Sequence, residues 1–175
     1  VLLGNKENIT DLIKEYQLDL EGVVIIDTRS DEAKAKIEEY GELLYQKRNR
    51  RGVTRYEASK IMRSRNYFGS MMVENGEADA LITGVTRKYK DSIRPSLQTI
   101  GVDSTIGKLA GMYLVLTKNY GPYFFADTTI NQNPTAKDLA DIALLTHKAV
   151  KEFNIEPRIA MLSYSNFGSV EGKGP

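Results

Sequence analysis

Ala78-Asp79-Ala80-Leu81-Ile82-Thr83-Gly84-Val85-Thr86-Arg87-Lys88-Tyr89-Lys90-Asp91-Ser92-Ile93-Arg94-Pro95-Ser96-Leu97-Gln98-Thr99-Ile100-Gly101 is the stretch on which the fold turns. It reads as an apolar strand, Asp79 to Thr83, running into a loop of hydroxyls and cations. A short helix follows from Ile93 to Ile100, with Arg94 and Pro95 in its first turn, where proline is tolerated. In open α/β sheets ligands sit beyond the carboxyl ends of the strands, where small residues let the backbone approach and a helix start offers free N–H groups. Thr83, Gly84, Thr86 and Ser92 match that layout, and Arg87, Lys88 and Arg94 add positive charge, so the stretch reads as an anion site. A solvated loop with ordinary turn chemistry would look similar.

Working outward, Thr10 can cap a helix through Tyr16, and Gly22 opens Val23-Val24-Ile25-Ile26-Asp27, an apolar run suited to a parallel strand buried on both faces. From Asp31 to about Lys47, Ala33, Ile37, Tyr40, Leu44 and Tyr45 fall near one helical face. Thr54 with Glu57 has the spacing of a capping box for a helix through Arg65, and Tyr67 to Asn75 reads as a more apolar helix stopped by Gly76. Gly111 to Thr117 and Tyr123 to Ala126 read as a hairpin. Thr135, with Asp138 three residues on, starts a helix through Phe153, and Pro157 precedes a last strand, Arg158 to Leu162. These elements predict an α/β protein, a three-layer α/β/α arrangement with a mostly parallel sheet and an antiparallel hairpin.

The 175 residues allow one full core, or two small ones. Hydrophobic residues make up 41% and charged residues 27%, an ordinary globular composition, and no apolar run approaches the roughly 20 residues of a spanning helix. Net charge is +1, so no global field draws nucleic acid or an anionic membrane, and neither partner is expected. With no cysteine, disulfides, Cys-type zinc sites and thiol nucleophiles are excluded, and a reducing, cytoplasmic setting is expected. The start at Val1-Leu2-Leu3-Gly4, like the tail of a buried strand, and the end at Gly172-Lys173-Gly174-Pro175 lead us to expect a piece of a longer protein.

Lys47, Arg48, Arg50, Arg51 and Arg55 gather five cations around Gly52. They can be a solvated face that complements a helix dipole, or a phosphate clamp, since arginine offers a bidentate fork to phosphate oxygens. His147 is the only histidine and sits mid-helix; no carboxylates are spaced to join it as metal ligands, so it reads as structural. The tail from Gly168 to Gly174 fails the P-loop pattern, with a spacer one residue short and Gly where Ser or Thr must hold Mg²⁺. Asp127 ends a strand beside Thr128 and Thr129, able to orient an arginine or to cap its own turn. Three strand ends, at Thr83-Gly84, Asp127-Thr128-Thr129 and Ser163-Tyr164-Ser165-Asn166, thus carry small polar residues, which points to a cleft for phosphate or a phosphorylated ligand.

Arg94-Pro95-Ser96-Leu97-Gln98, Phe125-Ala126-Asp127 with Asn131 and Pro134-Thr135, and Glu156 through Ser165 resemble the phosphate acetyl/butyryl transferase family over nearly the whole chain. The resemblance implies a truncated phosphotransacetylase-like fold, with about residues 1–77 in a first subdomain and about 78–175 in a second. It also implies that Arg48 and Arg94 face phosphate and coenzyme A, in a site that includes Thr83, Gly84, Asp127, Ser163 and Ser165. Arg65-Asn66-Tyr67-Phe68-Gly69, Met71-Met72 and Thr83 to Tyr89 look like one branch, the C-terminal region of NADP-dependent malic enzymes. From that likeness follow an acetyl-CoA- or CoA/phosphate-binding regulatory region, a homo-oligomer, and a malic-enzyme catalytic region elsewhere in the polypeptide using NADP and Mg or Mn. The family's Ser-Arg pair and general-base Asp belong to a segment beyond this one, so the chain by itself is expected to hold no complete catalytic set and no metal site. The alternatives are an active phosphate acetyltransferase and a purely structural oligomerisation module.

Overall fold

The apolar run at 23–27 does become a strand, but a short one: Ile25–Ile26 (β2) pairs in parallel with Leu2–Leu3 (β1). A computed structural model describes residues 1–102 and 106–162 of the chain. The fold is α/β, with this small parallel sheet and an antiparallel hairpin, and it divides into two units, Val1–Gly101 and Val102–Pro175.

In the first unit, Lys6–Glu15 (α1) begins earlier than Thr10, because Asn5 caps it by accepting a hydrogen bond from the Asn8 N–H at 2.9 Å. Lys34–Arg48 (α2) buries Ile37, Tyr40, Gly41 and Leu44, the face its periodicity predicts. Arg55–Met62 (α3) starts on the expected capping box, with Thr54 and Glu57 each taking the other's backbone N–H. Arg65–Glu74 (α4) is the most enclosed element, burying Asn66, Phe68, Gly69, Ser70, Met71 and Met72. The Tyr40 and Phe68 rings meet at 5.0 Å in the core formed with Leu44, Ala58, Met62 and Met71. Full burial of each such large apolar side chain contributes about 1.5–3 kcal/mol.

Tyr89–Thr99 (α5) departs from expectation. Pro95 lies inside it rather than in the first turn, and the ring leaves the Asp91 carbonyl, four residues back, without its helical donor. The buried Asn66 side chain supplies one, its Nδ2 donating to Asp91 O at 3.4 Å, so the helix runs through the proline. The strands expected at 79–83 and 158–162 do not form. Neither has a neighbouring strand among the described residues, and a strand is stable only when paired. Most of their apolar side chains stand in solvent, Ile82 at 98% and Leu162 at 83% exposure, while Leu81 turns back onto Gly69.

In the second unit Met112–Thr117 (β3) and Gly121–Ala126 (β4) form the hairpin, in register from Met112 opposite Ala126 to Thr117 opposite Gly121. Ala136–Lys151 (α6) starts on the Thr135 and Asp138 capping box, and the Phe124 ring packs on Phe153 at 5.4 Å. The tail expected as a loop from Ser163 to Pro175 lies outside the described residues.

Two outcomes follow for stability. A methyl group on Gly41 would stand 2.7 Å from Ser59 Oγ and 3.0 Å from Ser59 Cα, where α2 meets α3. Gly41→Ala should therefore lower stability in a denaturant titration by about 1 kcal/mol or more, even though alanine is the better helix former; an unchanged or raised midpoint would contradict the close contact. Asp138 is held below its ordinary carboxyl value, to about 2, by the Lys108 ammonium at 2.6 Å and then by the Thr135 N–H and hydroxyl. The unfolded chain binds that proton first, so the contribution is complete above the ordinary value of 3.8 and is lost as pH falls toward about 2. Melting temperatures should drop over that window less in Asp138→Asn than in the parent; equal slopes would refute the assignment.

Candidate functional site

Four cations share one open cleft of the first unit. Arg48 closes α2, Arg51 stands in the 3₁₀ turn Asn49–Arg51 that follows, and Lys90 and Arg94 project from α5; Ile93, Leu97 and Gln98 complete the lining around ≈ 360 Å³. The cations come together because α2 and α5 pack on each other and both lean on α4. Lys47 fastens the approach, its ammonium bridging the Glu74 carboxylate and, at 2.9 Å, the Thr99 carbonyl at the end of α5. Among the described residues, none of Arg48, Arg51, Lys90 and Arg94 forms an ion pair. Arg48 Nε is buried and makes no hydrogen bond among the described residues. A buried donor left unsatisfied costs about 1–3 kcal/mol, more when charged.

Tyr67, on α4, stands behind this wall. Its hydroxyl donates to Gln98 Oε1 at 2.6 Å. Burial pushes the phenol up from its ordinary value, while the positive charges of Arg94 and Arg48 pull the other way. At neutral pH it is therefore a hydroxyl and a donor.

The other residues expected at the site are placed as follows. Thr83 donates its hydroxyl to Asn66 Oδ1 at 3.0 Å, which ties the loop to the amide that also holds α5. Gly84 takes φ +120, a conformation that side-chain-bearing residues rarely adopt, with Ser92 Oγ 3.7 Å from where a Cβ would stand. Asp127 belongs to the second unit, and its carboxylate is engaged locally. It accepts from Gly111 N at 3.0 Å, Ile130 N at 3.2 Å, Asn131 N at 2.8 Å and Asn131 Nδ2 at 2.6 Å. Burial would raise its carboxyl, but these bonds outweigh burial and hold it below the usual range. Ser163 and Ser165 lie outside the described residues. The structure thus gathers Arg48 and Arg94 in one cleft, adds Arg51 and Lys90, and reveals Tyr67 and Gln98. Arg51 carried a sequence signal as a member of the cation run around Gly52; Lys90 was not singled out in the sequence, and Tyr67 and Gln98 acquire meaning only from their contact.

A second cavity of ≈ 440 Å³ opens at the carboxyl ends of β1 and β2, lined by Asn5, Lys6, Glu7, Asp27, Ser30, Glu32 and Lys36 among others. It is the weaker anion site, because three carboxylates face it and Lys36 is already paired with Glu77 at 2.6 Å and Glu39 at 3.2 Å. Among the described residues, no three His, Asp or Glu side chains are grouped as a metal site requires, and no helix is long and apolar enough to cross a membrane.

Residues 1–174 match the family model described as phosphate acetyl/butaryl transferase. The chain is 35% identical over 171 residues to the phosphate acetyltransferase of Bacillus subtilis, covering 98% of this chain and 51% of that one. It is 34% identical over 173 residues to the phosphate acetyltransferase of Helicobacter pylori, covering 99% and 33%. Among solved structures it superimposes on the EutD phosphotransacetylase from Staphylococcus aureus with a TM-score of 0.78 at 28% identity, over 99% of this chain and 51% of that chain. A phosphotransacetylase from Streptococcus pyogenes gives 0.76 at 32% identity, over 98% and 51%. The chain thus spans about half the length of these relatives, or less.

These relatives overturn the malic-enzyme expectation, and with it the NADP, the Mg or Mn, the oxidoreductase chemistry, the allosteric role and the idea of an inactive region serving another enzyme. They are named phosphate acetyltransferase without any malic-enzyme link. The structure shows why the local signature misled. Asn66 is a buried bridge, Phe68 is core, and Gly69 packs against Leu81 and Leu3, so packing is enough to account for the Asn66 to Gly69 motif. By the family model, the relatives and the shared fold, the chain belongs to the phosphate acetyl/butyryl transferase family.

Proposed function

We propose that the protein is a phosphate acetyltransferase, moving an acetyl group between coenzyme A and inorganic phosphate, and that the cleft of the first unit holds the phosphate group. The observation that carries this reading is the set of four cations without a counterion, one with a buried orphan donor, in a chain whose relatives bear that name. Arg48 and Arg94 are the proposed phosphate contacts, and Thr83 and Gly84 are close backbone neighbours. Asp127 is proposed to organise its own turn, and Ser163 and Ser165 are proposed to take part in ligand binding. For the complete family fold we propose a first subdomain holding about residues 1–77 and a second holding about 78–175, a boundary that falls before the division at Gly101 within this chain. Acyl-CoA, acyl phosphate and phosphate are the small-molecule partners.

The chemistry asks for what the cleft offers. When the coenzyme A thiolate attacks the acetyl carbonyl of acetyl phosphate, the bond from the acyl carbon to the bridging oxygen breaks and charge accumulates on the departing phosphate. Guanidinium groups fixed beforehand stabilise that charge more in the transition state than in the ground state, and arginine can do so through two parallel hydrogen bonds. In the reverse direction the same groups orient phosphate for attack on the thioester. Deprotonation of the thiol is proposed to rest on the part of the family fold that this chain does not span.

In the full-length protein, Arg94→Ala should lower kcat/KM for acetyl phosphate by about 100-fold or more, by analogy with removal of one transition-state donor. Arg94→Lys should recover only part, because a point charge lacks the planar fork. Formation of acetyl-CoA at the parental rate in Arg94→Ala would refute the assignment.

A further inference from the structure

Gln98 is the one uncharged polar side chain in the wall of the cationic cleft. It stands four residues beyond Arg94 on α5, so the two side chains leave the same face of the helix. Its amide oxygen is taken, accepting from the Tyr67 hydroxyl at 2.6 Å. A glutamine amide has two N–H donors besides that oxygen, and Nε2 makes no hydrogen bond among the described residues.

The polarity of the amide is fixed from below. Tyr67 lies on α4, the most enclosed helix of the unit, whose Asn66 and Ser70 side chains bond to Asp91 and Ser96 on either side of Arg94. The half-buried phenol remains protonated, as burial outweighs the neighbouring arginines, so it donates and Gln98 must accept. With Oε1 turned to Tyr67, Nε2 is left for the cleft side. A neutral N–H there adds direction without adding charge: guanidinium and ammonium groups attract any anion, whereas an oriented amide rewards an oxygen at one place.

We propose that Gln98 is a substrate-contacting residue whose Nε2 donates to a phosphate oxygen in the cleft, and that Tyr67 is a positioning residue acting through Gln98. The inference rests on the reading of the cleft as the phosphate site. It assigns a role to two residues beyond the arginines, and it makes the hydrogen bond between them part of substrate recognition.

The test is steady-state kinetics of the full-length protein in the direction of acetyl phosphate synthesis, with inorganic phosphate varied and melting temperature recorded for every variant. Gln98→Met keeps the volume and removes the donor; it should raise KM for phosphate by about 10-fold or more, with a smaller effect on kcat. Gln98→Glu, nearly the same shape, puts an acceptor where the donor stood and should raise KM further, so it decides the matter if the Met variant folds poorly. Tyr67→Phe should raise KM less than Gln98→Met does, and the double variant should match Gln98→Met alone, since Tyr67 acts only through the amide. An unchanged KM in both Gln98 variants, or additive effects in the double variant, overturns the proposal. If Arg94→Ala raises KM while the Gln98 variants do not, only the role of Gln98 falls; if none of them moves KM, the phosphate reading falls with it.

Discussion

One buried amide organises the cleft. Asn66 accepts from the Thr83 hydroxyl at 3.0 Å and donates to the Asp91 carbonyl at 3.4 Å, joining the loop before α5 to α5 itself. The carbonyl is free because Pro95 has no N–H to give it. A helix broken at that proline would carry Arg94 in its first turn; the bridged helix carries it in the interior, one turn beyond Lys90. Ser70 with Ser96 and Tyr67 with Gln98 continue the same seam between α4 and α5, and Lys47 closes it at the Thr99 carbonyl. Polar contacts of this kind are worth about 1 kcal/mol each in net stability, but a partner left unpaired costs more, so the seam specifies one arrangement of α5.

That arrangement lets four like charges share a cleft. Exposed like charges repel by about 1 kcal/mol or less per pair at ordinary ionic strength, a cost the core beneath α2 and α4 can offset. A phosphate bound as proposed would reverse the sign of that cost. In the proposed reading, the Nε2 of Gln98, which makes no hydrogen bond among the described residues, gives the anion one directed donor beside the arginines. Recognition of this kind would rest on geometry held by the core, with the exposed heads of Arg51 and Lys90 contributing field.

How much of this the sequence disclosed follows from the range of the forces involved. The Thr54 with Glu57 and Thr135 with Asp138 capping boxes are local, span four residues, and were legible. So were the buried face of α2, the hairpin, and the cations at Arg48 and Arg94. The start of α5 was not, because the compensation for Pro95 comes from Asn66, 29 residues earlier, and proline read alone signals a first turn. The strands at 79–83 and 158–162 were misjudged because apolar composition states a preference for burial without supplying a pairing partner. The motif from Asn66 to Gly69 was noticed but assigned to a branch of the family, when its residues are explained by a bridge, a core ring and the close approach of Gly69 to Leu3 and Leu81.

The central claim is that the anion binds between α2 and α5 rather than at the carboxyl ends of β1 and β2. Titration of the ¹⁵N-labelled protein with inorganic phosphate, followed through the arginine Nε–Hε and backbone signals, tests it most directly. Saturable shifts concentrated on Arg48, Arg94 and the backbone of α5 are the predicted result. Saturable shifts concentrated instead on Asn5, Lys6 and Ser30, with the Arg48 and Arg94 signals unmoved, would contradict it.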